Sequence, residues 1–196
     1  MSLFGIPARL WCMRKIIEST LVSLDGVIGD PPTWVGDYLD EEFQKDALER
    51  LLESDAMLMG RRTYEMFANT WAARTDPFAS RINDMRKYVF SSTLEEADWK
   101  NSIVVKGDVV TEVRKLKQQA GGDLVMYGHG LLAQTLLKHG LLDELRVSIF
   151  PVIVGRGKLL FRDDESTTLK LIATESRRTG VVVVRYQPAE VTEAAA

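Results

Sequence analysis

The chain of 196 residues is poor in the residues that form disulfides and metal sites. It has one cysteine, Cys12, and two histidines, His129 and His139. A single cysteine cannot form a disulfide within the chain, which is typical of proteins from reducing compartments. Because these residues lack the spacing of paired ligands, we expect no zinc or other metal site.

Long apolar runs and an excess of positive charge are also missing. No apolar stretch approaches the roughly 20 residues that a membrane-spanning helix needs, so we expect no membrane association. The 25 lysines and arginines are outnumbered by 28 aspartates and glutamates, which gives a net charge of −3. Nucleic-acid-binding proteins normally carry a basic excess, so we expect no nucleic-acid partner. Together these absences predict a cytoplasmic protein.

The two standard nucleotide-binding fingerprints are absent as well. The first strand–helix unit does not contain G-x-G-x-x-G, and the chain does not contain G-x-x-x-x-G-K-[ST]. These patterns place glycine-rich loops against phosphate groups. A nucleotide site in this chain must therefore be built from other turns.

The composition is that of one ordinary globular domain, with 45% hydrophobic and 27% charged residues. We assign residues 13–188 to this domain, residues 1–12 to an N-terminal extension and residues 189–196 to a tail. Pro7 and Arg9 interrupt the apolar pattern of the extension, so it does not read as a signal peptide.

Strand-like and helix-like segments alternate over most of the chain, which predicts an α/β fold. The predicted strands are 15–24, 55–60, 87–92, 102–106 and 123–128, and the predicted helices are 40–54, 61–71, 109–122 and 129–141. Such alternation favours a mostly parallel sheet covered by helices on both faces. Three later strand-like segments, 144–155, 169–178 and 180–188, have no helix between them. We expect these three to be antiparallel, at one edge of a mixed sheet.

Three predicted strand-to-helix junctions carry glycine, hydroxyl or basic residues: Gly60-Arg61-Arg62-Thr63, Ser91-Ser92-Thr93 and Gly128-His129-Gly130. The carboxyl ends of parallel strands share one sheet edge, where α/β proteins bind ligands. Helix N-termini at that edge offer backbone N–H groups that suit phosphates. Arg61 and Arg62 would match a phosphate of two charges, such as the 2′-phosphate of NADPH. In the alternative interpretation, the arginines are only solvated and the glycines only shape turns.

Three further residues each leave two interpretations open, and a fourth, His139, has one. Asp25 either contacts a ligand or shapes its own turn. Trp34, in the long loop 26–40, either covers a planar ligand or anchors the loop. His129 either contacts a pyrophosphate or is merely exposed. His139 is predicted to be structural, because it lies near the C-terminal end of a helix.

Four segments in this order resemble the dihydrofolate-reductase-like superfamily: "SLDGVIG", "DAMLMGRRTYE", "VMYGHGLLAQTLL" and "GLLDELRVSIFPVIVGRGKLLF". The branch that they resemble most is the C-terminal reductase domain of the bifunctional deaminase-reductase of riboflavin biosynthesis. The resemblance covers residues 13–188. It implies a three-layer α/β fold with a mixed, mostly parallel sheet of eight strands and antiparallel C-terminal edge strands. It also implies an NADPH-dependent reductase.

The resemblance further implies roles for individual residues. Cofactor-binding positions are Gly60, Arg61, Arg62 and Thr63 for the 2′-phosphate and pyrophosphate, Ser91 and Ser92 for the adenine ribose, and Gly128, His129, Gly130 and Leu131 for the pyrophosphate. The loop from Asp25 to Gly29 would cover the nicotinamide. Glu144 and Ser148 would face the substrate cavity, and Trp34 is our second candidate for substrate binding. Asp25 and Glu144 are the candidate catalytic residues, with water as an alternative proton donor.

The function predicted from the sequence is reduction of a small, flat heterocycle by hydride transfer from NADPH. Folate reductases carry a carboxylate on the first helix, and Gln44 stands near that position here, which argues against a pterin substrate. The zinc-containing deaminase domain is absent from the sequence. A true 5-amino-6-(5-phosphoribosylamino)uracil reductase and a non-catalytic NADP(H)-binding module remain as alternatives. The apolar late strands are compatible with a homodimer.

Overall fold

The computed structural model describes residues 13–161 and 166–189, so the predicted extension 1–12 and most of the predicted tail lie outside the described residues. The strands are β1 (Ile16–Ser23), β2 (Ser54–Gly60), β3 (Arg86–Phe90), β4 (Ser102–Val105), β5 (Asp123–Tyr127), β6 (Glu144–Phe150), β7 (Leu169–Ser176) and β8 (Val182–Pro188). The helices are α1 (Glu41–Leu52), α2 (Arg61–Trp71), α3 (Pro77–Asp84), α4 (Val109–Lys117) and α5 (Leu131–Lys138). None of the helices within the described ranges is long and apolar enough to cross a membrane.

The strands form one mixed sheet in the order β4-β3-β2-β5-β1-β6-β8-β7. The first six strands in this order are parallel to one another, while β8 is antiparallel to both β6 and β7. The predicted α/β class and mostly parallel sheet are confirmed. The predicted hairpin at residues 178–180 is also confirmed, because Arg177 N donates to Val181 O at 2.8 Å.

The predicted antiparallel pairing of β6 with a later strand is confirmed, because β6 pairs with β8 from Leu145–Tyr186 to Ile149–Val182. On its other side β6 pairs in parallel with β1, from Ile17–Glu144 to Ser23–Phe150, which the sequence analysis did not predict. The physical reason is that α5 precedes β6, so the chain crosses over the sheet before it enters the strand. The strand ends before Pro151, which has no N–H to donate to a ladder.

Helix α3 has no counterpart in the sequence prediction. Its start has a recognisable signal, since Asp76 accepts a hydrogen bond from Ala79 N at 3.1 Å and Pro77 stands at the first helical position. Ala79 and Ile82 have no exposed surface. The helix therefore belongs to the core, and the Asp-Pro pair was the signal available to find it.

The helices cover the two faces of the sheet unequally. Helices α4 and α5 pack on one face, where they bury a single large apolar cluster. Helices α1, α2 and α3 lie on the other face, where the core is divided into two clusters, one containing Met57 and Ile82 and the other Phe150 and Val183. The division between these two clusters provides the space for the cavity described below.

Candidate functional site

The three predicted turns lie side by side at one edge of the sheet. They follow β3, β2 and β5, which are neighbouring parallel strands. Gly60 pairs with Phe90, so the first two turns start at the same level. The ladder between β2 and β5 stops at Met57–Val125, whereas β5 continues along β1 to Tyr127. The two strands therefore part before their turns begin, which leaves room for a ligand between them.

Two glycines in these turns are not explained by the protein's own structure. Gly128 has φ +71, a conformation that favours glycine. Gly60 has φ −81 and Gly130 has φ −111, both ordinary values for any residue. A Cβ added at any of the three would meet no atom within 4 Å. Because neither backbone nor packing requires glycine at 60 and 130, the bare backbone there suits close approach by an external group.

The helices that begin at these glycines differ from the others at their first turn. Helices α1, α3 and α4 each begin with an aspartate whose carboxylate accepts a backbone N–H: Asp40 from Phe43, Asp76 from Ala79 and Asp108 from Thr111. Helices α2 and α5 begin with Gly60 and Gly130, and neither has a side-chain cap. First-turn N–H groups lack partners within a helix and carry partial positive charge. In α2 and α5 they are available to an anion.

Arg61 connects the first turn with the second. Its Nη1 donates to Thr93 Oγ1 at 3.0 Å, and its Nε donates to Glu65 Oε1 at 2.7 Å. Arg62 and Thr63 follow in the first turn of α2, and the side chain of Arg62 is exposed. Arg61 and Arg62 thus supply two guanidinium groups at the start of α2.

The second turn is shaped by a serine. Ser91 Oγ accepts hydrogen bonds from Leu94 N at 2.9 Å and from Thr93 N at 3.2 Å. Ser92 is exposed beside it, and its carbonyl accepts from Lys106 Nζ at 3.3 Å. The Ser91 hydroxyl therefore holds the turn, while Ser92 and Thr93 are the hydroxyls on its exposed side.

The third turn contains a buried histidine. His129 is 1% exposed, and its Nδ1 lies 2.7 Å from Glu18 Oε1 on β1. Lys158 Nζ donates to the His129 carbonyl. The interpretation of His129 as an exposed residue is wrong, because the buried Glu18 carboxylate draws the imidazole inward. A phosphate at this turn would meet backbone rather than the imidazole, and Leu131, which follows Gly130, is largely exposed.

A cavity of about 400 Å³ lies on the face that α1, α2 and α3 cover. Four strands contribute residues to its floor: Ile17, Ser19 and Leu21 of β1, Ser54 of β2, Val125 and Tyr127 of β5, and Arg146 and Ser148 of β6. Phe43 of α1 and Phe67 of α2 also line the cavity, and Phe67 stacks on Tyr127 with ring centroids 5.6 Å apart. Since Tyr127 directly precedes Gly128, the cavity adjoins the third turn.

Asp25 is held in a turn and is not suited to donate a proton. Its carboxylate accepts hydrogen bonds from Ser23 Oγ at 2.6 Å, Gly155 N at 2.7 Å and Val154 N at 3.1 Å. These bonds, that from Ser23 first, lower the pKa of Asp25 to about 2. The geometry therefore favours the structural interpretation, in which Asp25 connects the end of β1 to the segment after β6.

Glu144 is likewise unsuited to donate a proton. Burial alone would raise its pKa, but hydrogen bonds from Arg185 and Arg146 outweigh burial and lower the pKa below its usual range. The carboxylate lies beneath Arg146 on the same face of β6 and is not part of the cavity lining. The sequence therefore predicted the correct face of β6, but Arg146 and Ser148, rather than Glu144, reach the cavity.

Trp34 anchors its loop. Its indole Nε1 donates to the Gly29 carbonyl at 2.8 Å, and its ring packs edge-on against Phe150 with centroids 5.5 Å apart. Trp34 does not belong to the cavity lining, so the geometry favours the interpretation in which it anchors the loop. The aromatic cluster around Phe150 is large enough to hold the ring without a ligand.

The cavity residues that the sequence analysis missed include Arg50, Tyr127 and Arg146. Burial lowers the pKa of Arg50 and raises the pKa of Tyr127 above its usual range, so the phenol stays neutral. A signal for Arg146 was present in the sequence, because Glu144, Arg146 and Ser148 alternate with apolar residues and so share one face of the strand.

In the described part of the chain, no three His, Cys, Asp or Glu side chains are grouped to hold a metal ion.

Comparison of the chain with known protein families agrees with the fold and the site geometry. The RibD C-terminal domain family matches residues 14–184. This chain belongs to the RibD C-terminal domain family. It is 33% identical over 179 residues to the uncharacterized protein YyaP of Bacillus subtilis (strain 168), an alignment that covers 88% of this chain and 94% of that protein.

Solved structures share the fold. A provisionally named riboflavin biosynthesis protein from Shewanella sp. PV-4 has a TM-score of 0.70 and 24% identity, over 90% of this chain and 99% of that one. A diaminohydroxyphosphoribosylaminopyrimidine deaminase/5-amino-6-(5-phosphoribosylamino)uracil reductase from Thermotoga maritima has a TM-score of 0.66 and 16% identity, over 90% of this chain and 57% of that one. The predicted fold and family are thus confirmed, and family membership supports a reductase-type role.

Proposed function

We propose that this protein is an NADPH-dependent reductase of a small planar heterocycle. The observation that carries the proposal is the pair of glycine-started helices, α2 and α5, at adjoining turns beside the cavity. Uncapped helix starts with bare backbone suit the phosphates of a dinucleotide, and the adjoining cavity suits a ring to be reduced.

The residues present fit such a cofactor. The first-turn N–H groups of α2 and α5 would hold the pyrophosphate, and an added Cβ at Gly60 or Gly130 would fill the open space that they face. Arg61 and Arg62 would bind the 2′-phosphate, with Ser92 and Thr93 beside the ribose. When bound, the cofactor supplies the hydride. The protein's contribution is to orient the two rings.

The cavity residues would orient the substrate and exclude water from it. The aromatic walls formed by Phe43 and Phe67 suit a flat ring, and Ser19 and Ser148 offer hydroxyl groups from the floor. Because the pKa values of Asp25 and Glu144 are both lowered, both carboxylates are ionised at neutral pH. Of the three proton sources considered from the sequence, water is the one that remains.

Replacing Arg61 and Arg62 together by alanine tests the cofactor assignment. We expect NADPH affinity to fall about tenfold or more, because a charge-assisted contact contributes about 1.5–3 kcal/mol, while NADH affinity changes little. Calorimetric titration of both cofactors measures this selectivity. Arg86→Ala is a matched control, since Arg86 is exposed at the amino end of β3, at the opposite edge of the sheet. Equal losses for NADPH and NADH, or no NADPH binding up to millimolar concentration, would reject the assignment.

A pyrimidine of riboflavin biosynthesis is the substrate that family membership favours. Rescue of a riboflavin-requiring strain by this chain tests that narrower activity. A panel of heterocycles with NADPH, followed at the absorbance of the reduced nicotinamide, tests turnover more generally. If NADPH binds and no heterocycle of the panel oxidises it, the protein is a cofactor-binding module and not a reductase.

A further inference from the structure

We propose that Arg146 is the residue that selects the substrate, and that the substrate class is a planar heterocycle bearing a carboxylate. The inference deepens the proposed function, because it assumes that the cavity receives the substrate. It rests on how the charged groups of the cavity are paired.

Arg146 is a guanidinium buried in the floor of the cavity. It stands in the middle of β6, it is 8% exposed, and its register partner on β1 is Ser19. Its Nε donates to Glu144 Oε1 at 2.5 Å. Of its guanidinium nitrogens, only Nε donates to a residue within 13–161 and 166–189. The two terminal nitrogens are therefore available to a ligand in the cavity.

Glu144 is held in place from its other side. Arg185 donates to Glu144 through Nε at 2.7 Å and through Nη2 at 3.1 Å. Glu144 is thus a positioning residue, which fixes the guanidinium plane of Arg146. Two guanidinium groups share one carboxylate, so the group carries a surplus of one positive charge.

The other carboxylates of the cavity are already paired with other arginines. Asp46 forms ion pairs with Arg177 and, at 3.9 Å, with Arg50. Asp76 pairs with Arg74 at 2.9 Å, near the opposite end of the cavity. Glu175 also pairs with Arg50 at 3.2 Å and with Arg177 at 2.9 Å, so Asp46 and Glu175 together balance the charges of these two arginines. The carboxylates that line the cavity are thus paired elsewhere, which leaves the terminal nitrogens of Arg146 open to an acceptor from the ligand.

A carboxylate fits this arrangement better than other acceptors do. Two parallel N–H groups of a guanidinium match the two oxygens of a carboxylate. One negative charge also balances the surplus of one positive charge, whereas a phosphate monoester brings about −1.5 to −2 at neutral pH. A carboxylate can lie in the plane of an aromatic ring beside Phe43 and Phe67.

The test compares two ligands of the same shape. Quinoline-2-carboxylate and quinoline-2-carboxamide are titrated calorimetrically into the full chain without cofactor. We expect the carboxylate to bind about tenfold or more tightly than the amide, the difference that one charge-assisted pair contributes. Equal affinities, or no binding of either ligand up to millimolar concentration, would overturn the proposal. Phenyl phosphate is a third probe, and tighter binding of it than of the carboxylate would overturn the choice of carboxylate.

Variants of Arg146 then test whether this residue causes the preference for the carboxylate over the amide. In Arg146→Met the ratio of carboxylate to amide affinity should fall to about one, and in Arg146→Lys it should be intermediate, because lysine keeps the charge without the fork. Arg74→Met removes the same charge from the other end of the cavity and should keep the ratio. A ratio unchanged in both Arg146 variants would overturn the assignment, and far-ultraviolet circular dichroism verifies that the variants are folded.

Failure of this inference and failure of the proposed function are distinguishable. The ligand titrations use no cofactor, whereas the proposed function is tested by NADPH binding and oxidation. Normal NADPH turnover without a preference for carboxylates would overturn only the role of Arg146. A carboxylate preference without NADPH binding would overturn only the reductase assignment.

Discussion

The five α-helices fall into two sets, which differ in whether a side chain accepts a hydrogen bond from a backbone N–H of the first turn. Helices α1, α3 and α4 begin with Asp40, Asp76 and Asp108, and each carboxylate accepts an N–H of its own helix. Helices α2 and α5 begin with Gly60 and Gly130 and have no side-chain cap. The first set is satisfied from within the chain, and the second set is left for a partner from outside.

Position at the sheet edge does not by itself explain the difference. Helix α4 also follows a parallel strand at the carboxyl edge, yet it is capped by Asp108, whose carboxylate accepts from Thr111 N at 2.9 Å. Strand β4 is the outermost strand, whereas β2 and β5 are neighbours that part before their turns. Among the five α-helices, the two uncapped starts therefore lie where β2 and β5 separate and a cleft forms. A dinucleotide site would need uncapped helix starts at such a cleft.

The largest effect on NADPH affinity is expected when the uncapped start of α2 is replaced by an aspartate-capped one. Gly60→Asp would give α2 the cap that α1, α3 and α4 have, so we expect its stability to stay the same or rise by a few tenths of a kcal/mol. The new carboxylate would repel a phosphate at the same position. We expect NADPH affinity to fall about 100-fold, a loss of about 2.7 kcal/mol, in calorimetric titration.

The reciprocal substitution is the control for this exchange. Asp108→Gly makes the start of α4 resemble those of α2 and α5, and we expect it to leave NADPH affinity unchanged. If Gly60→Asp bound NADPH as tightly as the unaltered protein, the contrast between the two sets of helix starts would have no functional meaning.

A smaller effect, on the free energy of unfolding, is expected when the aspartate that caps α4 is removed. Asp108→Ala should lower the free energy of unfolding, since the N–H of Thr111 loses its acceptor. Urea denaturation measures the loss, and NADPH affinity should not change. A loss of cofactor affinity in this variant would show that α4 takes part in the site, contrary to the comparison.

The smallest effect concerns Asp25, a carboxylate that also satisfies backbone N–H groups. Its pKa in the folded protein is about 2, below the ordinary value of 3.8. A depressed pKa means that the carboxylate stabilises the fold above pH 3.8 and that this contribution is lost as the pH falls toward 2. In thermal melts, Asp25→Asn should be less stable than the unaltered protein at neutral pH, and the difference should disappear as the pH falls below about 2. A constant difference across this range would contradict the assignment.

Much of the fold was predictable because it depends on local patterns. Alternating strands and helices predicted the parallel sheet, and the short turn at residues 178–180 predicted the β7–β8 hairpin. The parallel pairing of β6 with β1 was not predictable from the late strands alone, because it depends on α5 before them. Helix α3 was missed although Asp76-Pro77 is a standard start signal.

The site was predictable where it consists of backbone and not where it depends on side-chain pairing. The turns at Gly60 and Gly128 follow neighbouring strands, as their sequence positions indicated. The inward orientation of His129 depends on Glu18, which is 111 residues away in the sequence. The roles of Glu144 and Arg146 likewise depend on Arg185, a residue of another strand. Such pairings are made by tertiary structure, which a single sequence does not display.

The most direct test of the account follows the backbone N–H groups themselves. In a ¹⁵N-labelled sample titrated with NADPH, we predict that the amide resonances of Arg61, Arg62 and Leu131 shift strongly, while those of Val109 and Val110 at the start of α4 do not. Cofactor binding that left the first turns of α2 and α5 unperturbed would contradict the claim that these two helix starts bind the phosphates.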